Sequence, residues 1–310
     1  MSFTVLTVGD LVADVVVALP QLPLAIGHYQ VARFVRLEPG GAGNFLIAGV
    51  RLGMRMISVG ALGDDAFGHE VSASLAREGV ELGLVAQLAG TSTTTVIVLN
   101  DDHGHTVMTG AYGEGPALTF LPEWEVALRR ADAVFAFGYT IREERLREAA
   151  LTCLERGRAI GRPVFFDPGP EFHLLDAAAR SRALACADIL LLTEAEIALT
   201  GAAGPRELLE RGARIVVVKR GAAGCQIWTA EGRIDAPGFP VVARDVAGAG
   251  DCFAAAFVYG YLQGWSMERT AATANAAGAA MVQKRGTGRQ APTADELRAV
   301  LATYRPELLL

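Results

Sequence analysis

Asp245-Val246-Ala247-Gly248-Ala249-Gly250-Asp251 runs directly into the apolar stretch Cys252-Phe253-Ala254-Ala255-Ala256-Phe257-Val258. Three small residues end in a carboxylate where a helix should begin. Glycines allow close backbone approach and tight turns without a Cβ penalty. The first N–H groups of a helix lack internal partners, and the dipole there favours negative charge. The stretch reads as an anion hole with Asp251 at its rim as a general base. The same residues also suit an ordinary loop with Asp as a helix N-cap.

The chain has 310 residues, 51% of them hydrophobic, and a net charge of −6. Its mean hydropathy is +0.30. Such a chain buries one large core, or one core with a small appendage. There is no basic run, so a nucleic-acid partner is not expected. No apolar run reaches membrane-spanning length, so no membrane partner is expected. The N-terminus lacks a basic region and a cleavage signal, which points to the cytoplasm. Cys153, Cys186, Cys225 and Cys252 are scattered, with no CxxC pair to suggest zinc or a disulfide framework. The five histidines show no metal-ligand spacing.

Strands are predicted over 3–9, 56–60, 93–99, 132–138, 163–167, 188–192, 214–218 and 224–229. Helices are predicted over 43–52, 65–78, 142–156, 174–186, 204–211, 248–263, 267–283 and 293–304. This alternation implies an α/β fold with a mostly parallel sheet covered on both faces. Ligands in such sheets bind beyond the strand C-termini. Residues 12–38 and 91–109 break the alternation and read as hairpins. They form either a small β lid over that edge or edge strands of the main sheet. No linker divides the chain, so 1–310 is read as one unit.

A second glycine cluster, Pro39-Gly40-Gly41-Ala42-Gly43-Asn44, lies early in the chain, and Asp10 and Asp14 follow the first strand. With Val59 to Gly68 it resembles the first signature of the ribokinase/PfkB carbohydrate kinases, and Asp245 to Asp251 resembles the second. The resemblance runs from Val8 to about Gly288. It implies a ribokinase-like three-layer α/β/α sandwich with a β lid, and phosphoryl transfer from ATP to a hydroxyl of a sugar or sugar derivative. It implies Asp251 as catalytic base, Gly248, Ala249 and Gly250 as anion hole, and Asp14, Gly40, Gly41 and Asn44 as acceptor ligands. Asp10 either binds acceptor or satisfies its loop.

On the nucleotide side the resemblance implies Lys219, Gly221 and Gly224 over the ATP phosphates and ribose, and Asn275 at adenine. Thr193 replaces an Asn of the family's Asn-x-x-Glu. Glu196 keeps the carboxylate that organises Mg²⁺ through water. Thr193 and Glu196 also fit a capping box. Asp245, with carbonyls near Ala247, Val282, Arg285 and Thr287, is implied as a K⁺ site. A homodimer through the lid is implied as well. Val12 stands where ribose-specific members carry Asn, which points away from ribose itself. Tyr29, Phe34 and Tyr112 fit a lid pocket that stacks a nucleoside base, lid packing, or a dimer interface. A nucleoside kinase and a non-catalytic sugar- or nucleotide-binding regulator are the alternatives. The absence of GxGxxG after the first strand excludes a dinucleotide-binding dehydrogenase.

Overall fold

Ile189-Leu190-Leu191-Leu192 and Val216-Val217-Val218 are apolar at every position and fully buried. Strands read this way when both sheet faces are covered. The computed structural model describes residues 2–309. In chain order its strands are β1 (Thr4–Val8), β2 (Leu11–Ala18), β3 (Phe34–Gly41), β4 (Arg55–Gly63), β5 (Glu81–Leu88), β6 (Thr95–Asn100), β7 (Thr106–Ala111), β8 (Ala133–Phe137), β9 (Val164–Asp167), β10 (Ile189–Thr193), β11 (Ile215–Lys219), β12 (Cys225–Thr229) and β13 (Gly232–Ala236). The helices are α1 (Ala42–Arg51), α2 (Ala66–Glu78), α3 (Pro122–Arg130), α4 (Gly138–Arg142), α5 (Glu144–Ala159), α6 (Ala177–Cys186), α7 (Glu194–Leu199), α8 (Pro205–Glu210), α9 (Ala249–Leu262), α10 (Met267–Val282) and α11 (Ala294–Tyr304).

Nine strands form one sheet in the order β13-β12-β11-β10-β9-β8-β1-β4-β5. All pairings from β11 through to β5 are parallel, while β12 and β13 are antiparallel. Along β8, Ala133, Phe135 and Phe137 pack on one face, and Val134 and Ala136 on the other. That is the period of two a strand imposes. Helices α1, α2, α9, α10 and α11 cover the first face; α3, α5, α6 and α8 cover the second. The chain runs outward from β1 through β4 and β5, then restarts beside β1 at β8. Strand order reverses there, which opens a crevice at the C-terminal edge.

The remaining four strands form a separate sheet, ordered β3-β2-β6-β7. Two antiparallel hairpins join through the parallel pair β2–β6. Asp14 and Val16 of β2 are buried on one face of it. The other face carries the cross-strand row Val35–Val17–Leu99–Val107.

Every predicted helix and strand of the core is present. The edge strands β5 and β13 and the short helices α3 and α4 were not anticipated, and α7 was read only through its capping box. Gly83 interrupts β5, and Gly-Arg-Ile-Asp-Ala of β13 has one large apolar residue. Edge strands bury little surface, so their apolar pattern is weak.

Candidate active site

Helix α9 starts without a side-chain cap. Its N-cap is Gly248, at φ 73°, ψ −4°. A residue with a Cβ is strained in that left-handed region. A Cβ there would also lie 3.0 Å from Met281 Cε. Ala249 N, expected in the anion hole, donates instead to Val246 O at 3.3 Å, and the N–H groups of Gly250 and Asp251 remain for a ligand. Asp251 sits in that turn, and its Oδ2 accepts from Asn44 Nδ2 at 2.9 Å. Asn44 Oδ1 accepts in turn from Gly288 N at 2.6 Å. Burial raises the Asp251 pKa to about 6, against the lowering effect of the Asn44 bond. That places the carboxyl near the range a general base needs at neutral pH.

A cluster of carboxyls is built at the crevice. Asp10, in the loop after β1, and Asp14, on β2, are both buried. Desolvation pushes Asp10 well up, reinforced by Glu143, Asp14 and Asp251. Asp14 rises to about 7, mainly through burial, with the Thr287 hydroxyl opposing. Gly40 has no side chain because a Cβ would land on the Asp14 carboxylate. Glu143, at the α4–α5 junction, is buried against Arg145 and accepts from Thr94 Oγ1. Glu143 and Arg145 were missed in the sequence. They look like an ordinary charged helix start, and only the crevice brings them to Asp10.

A second part of the site follows the ends of β9, β10 and β11. A cleft of about 260 Å³ is lined by Lys219, Gly221, Gly224, Ala249, Gly250 and Asn275, among others. Lys219 Nζ lies 2.6 Å from Asp167 Oδ2. It is also 3.6 Å from the point where a Cβ on Gly250 would sit. Asp167 and Glu196 keep Lys219 charged although burial opposes this. A fixed cation thus stands beside the open helix start. Asn275 uses its Nδ2 on Ala236 O and Pro237 O, at 3.2 and 3.1 Å, and so holds the cleft wall.

The pfkB family carbohydrate kinase profile matches residues 3–294. The chain belongs to the pfkB family of carbohydrate kinases. It is similar to the ATP-dependent ribose-1-phosphate kinase of Halopiger xanaduensis, with 33% identity over 96% of this chain and 98% of that one. It is 29% identical to the nucleoside kinase of Methanothermobacter thermautotrophicus, over 94% and 93% of the two chains. Arabidopsis thaliana ribokinase, solved with ribose and ATP, superposes with a TM-score of 0.81 at 23% identity, over 97% of this chain and 99% of that one.

Within this pfkB chain the two implied cations meet different surroundings. Thr193 and Glu196 form a complete capping box on α7, with Thr193 N donating to Glu196 Oε2 at 2.7 Å. The other carboxylate oxygen remains for a water shell. No group of three or more metal-ligating side chains occurs among the described residues. This donor set fits Mg²⁺ carried by phosphates and reached through water, the usual habit of that ion. Asp245 differs. Its Oδ1 accepts from Ala247 N at 3.0 Å, and its Oδ2 from Asn100 Nδ2 at 2.8 Å and Gly286 N at 2.9 Å. Three N–H donors make it the anchor that ties β6 to the loop before α9. Val282 O likewise accepts from Arg244 N at 2.7 Å and Asp245 N at 3.3 Å, so these groups implied for K⁺ are committed to the protein's own donors.

The aromatic residues divide. Tyr29 is 90% exposed and lines nothing. Phe34 stacks under Arg36. Tyr112 donates to Glu171 Oε2 at 2.9 Å. The four cysteines are free and buried. No helix among the described residues is long and apolar enough to cross a membrane.

Proposed function

We propose that this chain transfers the γ-phosphoryl group of ATP to a hydroxyl of a sugar or sugar derivative. The observation that carries the reading is the α9 start, where an uncapped helix terminus, Lys219 Nζ and the oriented Asp251 carboxylate converge. The acceptor hydroxyl gives its proton to Asp251, and its oxygen forms a bond to the γ-phosphorus. The bond from that phosphorus to the β-phosphate oxygen breaks, and ADP leaves. First-turn N–H groups of α9 and the Lys219 ammonium stabilise charge on the moving phosphoryl group. Mg²⁺, bound with the nucleotide and organised through water by Glu196, supplies further charge neutralisation. Asp14, with Asp10 beside it, holds the acceptor's other hydroxyls. Asn44, expected among the acceptor ligands, also positions Asp251.

The second sheet acts as a lid in this reading, pinned by Asn100–Asp245 and by Arg289 Nε–Glu38 Oε2 at 2.8 Å. Its outer face exposes Val35, Ile97 and Val107. A contiguous apolar face of this kind supports a homodimer built through the lid. An ADP-release screen over pentoses, hexoses, sugar acids, sugar phosphates and nucleosides tests the activity. Asp251→Asn should fold, bind ATP and lose about 10²–10⁴ in kcat, the usual contribution of a positioned base. Retained turnover would remove Asp251 from the mechanism. Turnover best with nucleosides would favour the nucleoside kinase instead.

A further inference from the structure

One cation at the crevice is held only by a loose ion pair and an aromatic ring. Arg142 ends α4, directly beyond the C-terminal edge of β8. Its Nε is buried and has no hydrogen-bond partner among the described residues. Its acidic neighbour, Glu171 Oε2, lies 3.7 Å from that nitrogen. This is beyond hydrogen-bond range. The same oxygen already accepts from the Tyr112 hydroxyl at 2.9 Å. The Arg142 guanidinium stands over the Tyr112 ring, 5.8 Å from its centroid. Arg145, three residues on, is the contrast: it is buried, paired with Glu143, and reaches the Ser92 and Glu114 carbonyls at 3.3 and 3.4 Å.

The location of Arg142 gives it meaning. Tyr112 follows the last lid strand, Glu171 follows β9, and Arg142 follows β8. All three lie where ligands enter this sheet. Gly113 N, next to Tyr112, donates to Thr94 Oγ1 at 2.9 Å, and that hydroxyl donates to Glu143; the Asp10 charge reaches the Tyr112 phenol as well. The trio therefore stands beside the Asp10 and Glu143 carboxyls of the crevice. Asp10, Asp14, Glu143 and Asp251 suit a neutral polyol, and a neutral polyol needs no guanidinium. An anionic acceptor entering this carboxylate-rich site would be repelled unless its charge met a cation. Arg142 is placed to be that cation, and its planar fork matches phosphate or carboxylate oxygens in pairs. Its side chain is 31% exposed, which leaves room for a ligand to approach.

We propose that the acceptor is an anionic sugar, with a phosphate or carboxylate remote from the hydroxyl that is phosphorylated, and that Arg142, steadied by Tyr112 and Glu171, binds that anion. The proposal rests on the kinase reading only for which side of the crevice takes the acceptor.

The test pairs each neutral sugar with its anionic counterpart: a pentose with its 1-phosphate and 5-phosphate, and a hexose with its aldonic and uronic acids. Binding is measured by calorimetry without nucleotide, and turnover by ADP release. Charge-assisted hydrogen bonds of about 1.5–3 kcal/mol correspond to roughly ten- to hundredfold. Wild-type protein should therefore bind one anionic member at least tenfold more tightly than its neutral parent. The sugar phosphates and sugar acids, as separate arms, identify which anion it is. In Arg142→Met that preference ratio should collapse towards one, and Arg142→Lys should restore part of it. Equal wild-type affinity for neutral and anionic members would overturn the proposal. So would an Arg142→Met loss that falls equally on both. Arg142-dependent anion binding without ADP release from any acceptor would leave this site standing and sink the kinase reading.

Discussion

Asn44→Ala should move the acid limb of activity upward in pH. In the folded protein Asn44 Nδ2 donates to Asp251 Oδ2 at 2.9 Å, and this bond holds down a carboxyl that burial raises to about 6. A hydrogen bond to a charged group is worth about 1.5–3 kcal/mol. At ~1.36 kcal/mol per pH unit, its loss moves the Asp251 pKa up by about one to two units. The assay is kcat/KM for the acceptor from pH 5 to 9 at saturating ATP, which reports the essential groups of the ATP-bound enzyme before the acceptor binds. The wild-type limb should fall between about 6 and 7, because Asp14 titrates there as well. It belongs to the carboxylate cluster rather than to one residue. In the variant the limb should shift towards 8, with much of the activity regained at high pH. Thermal unfolding would check that losing the acceptor for Gly288 N has not undone the fold. A uniform loss of rate with the limb unmoved would refute the claim that Asn44 tunes Asp251.

Asp14→Asn should stabilise the protein at pH 8 while abolishing acceptor use. The folded pKa is raised from 3.8 to about 7, so Asp14 favours folding fully below about 4, and that contribution is lost as pH rises through 7. The ceiling is about 4 kcal/mol at ~1.36 kcal/mol per unit, and denaturant titrations should show the gain at pH 8 and none at pH 4. Gly40→Ala should lower kcat/KM for the acceptor at least tenfold and leave the ATP KM within about twofold, because its Cβ displaces the Asp14 carboxylate; equal damage to both constants would contradict this placement. Glu196→Gln should keep the α7 cap, since an amide oxygen still accepts from Thr193 N, yet raise the Mg²⁺ needed for half activity severalfold. An unchanged requirement would release Glu196 from that role. Ile97→Asp with Val35→Asp should give a monomer in sedimentation if the lid face joins two subunits; a wild-type monomer at micromolar concentration would defeat the dimer.

The α/β core was legible because its strands and helices carry their own periodicity. The apolar runs Ile189–Leu192 of β10 and Ile215–Val218 of β11 announce a doubly covered sheet, and the long helices α9 and α10 follow from local composition. The glycine at 248, the carboxylate at 251 and the capping box at Thr193 and Glu196 are likewise local facts, each fixed within a few residues of backbone geometry. The tertiary structure alone decided what those groups face. Asn44 and Asp251 lie 207 positions apart in the chain, yet share a hydrogen bond. Asp245 carries the composition of a cation ligand, but Asn100 and Gly286 arrive from distant segments to occupy it. Glu143, Arg145 and Arg142 look like the charged start of a surface helix. They gain their meaning at the crevice because β8 ends beside β1, and no local pattern encodes that adjacency. Propensity and periodicity act over one or two turns of chain. Charge, desolvation and hydrogen bonding act through space, so the chemistry of the site appears only after the sheet order has brought its residues together.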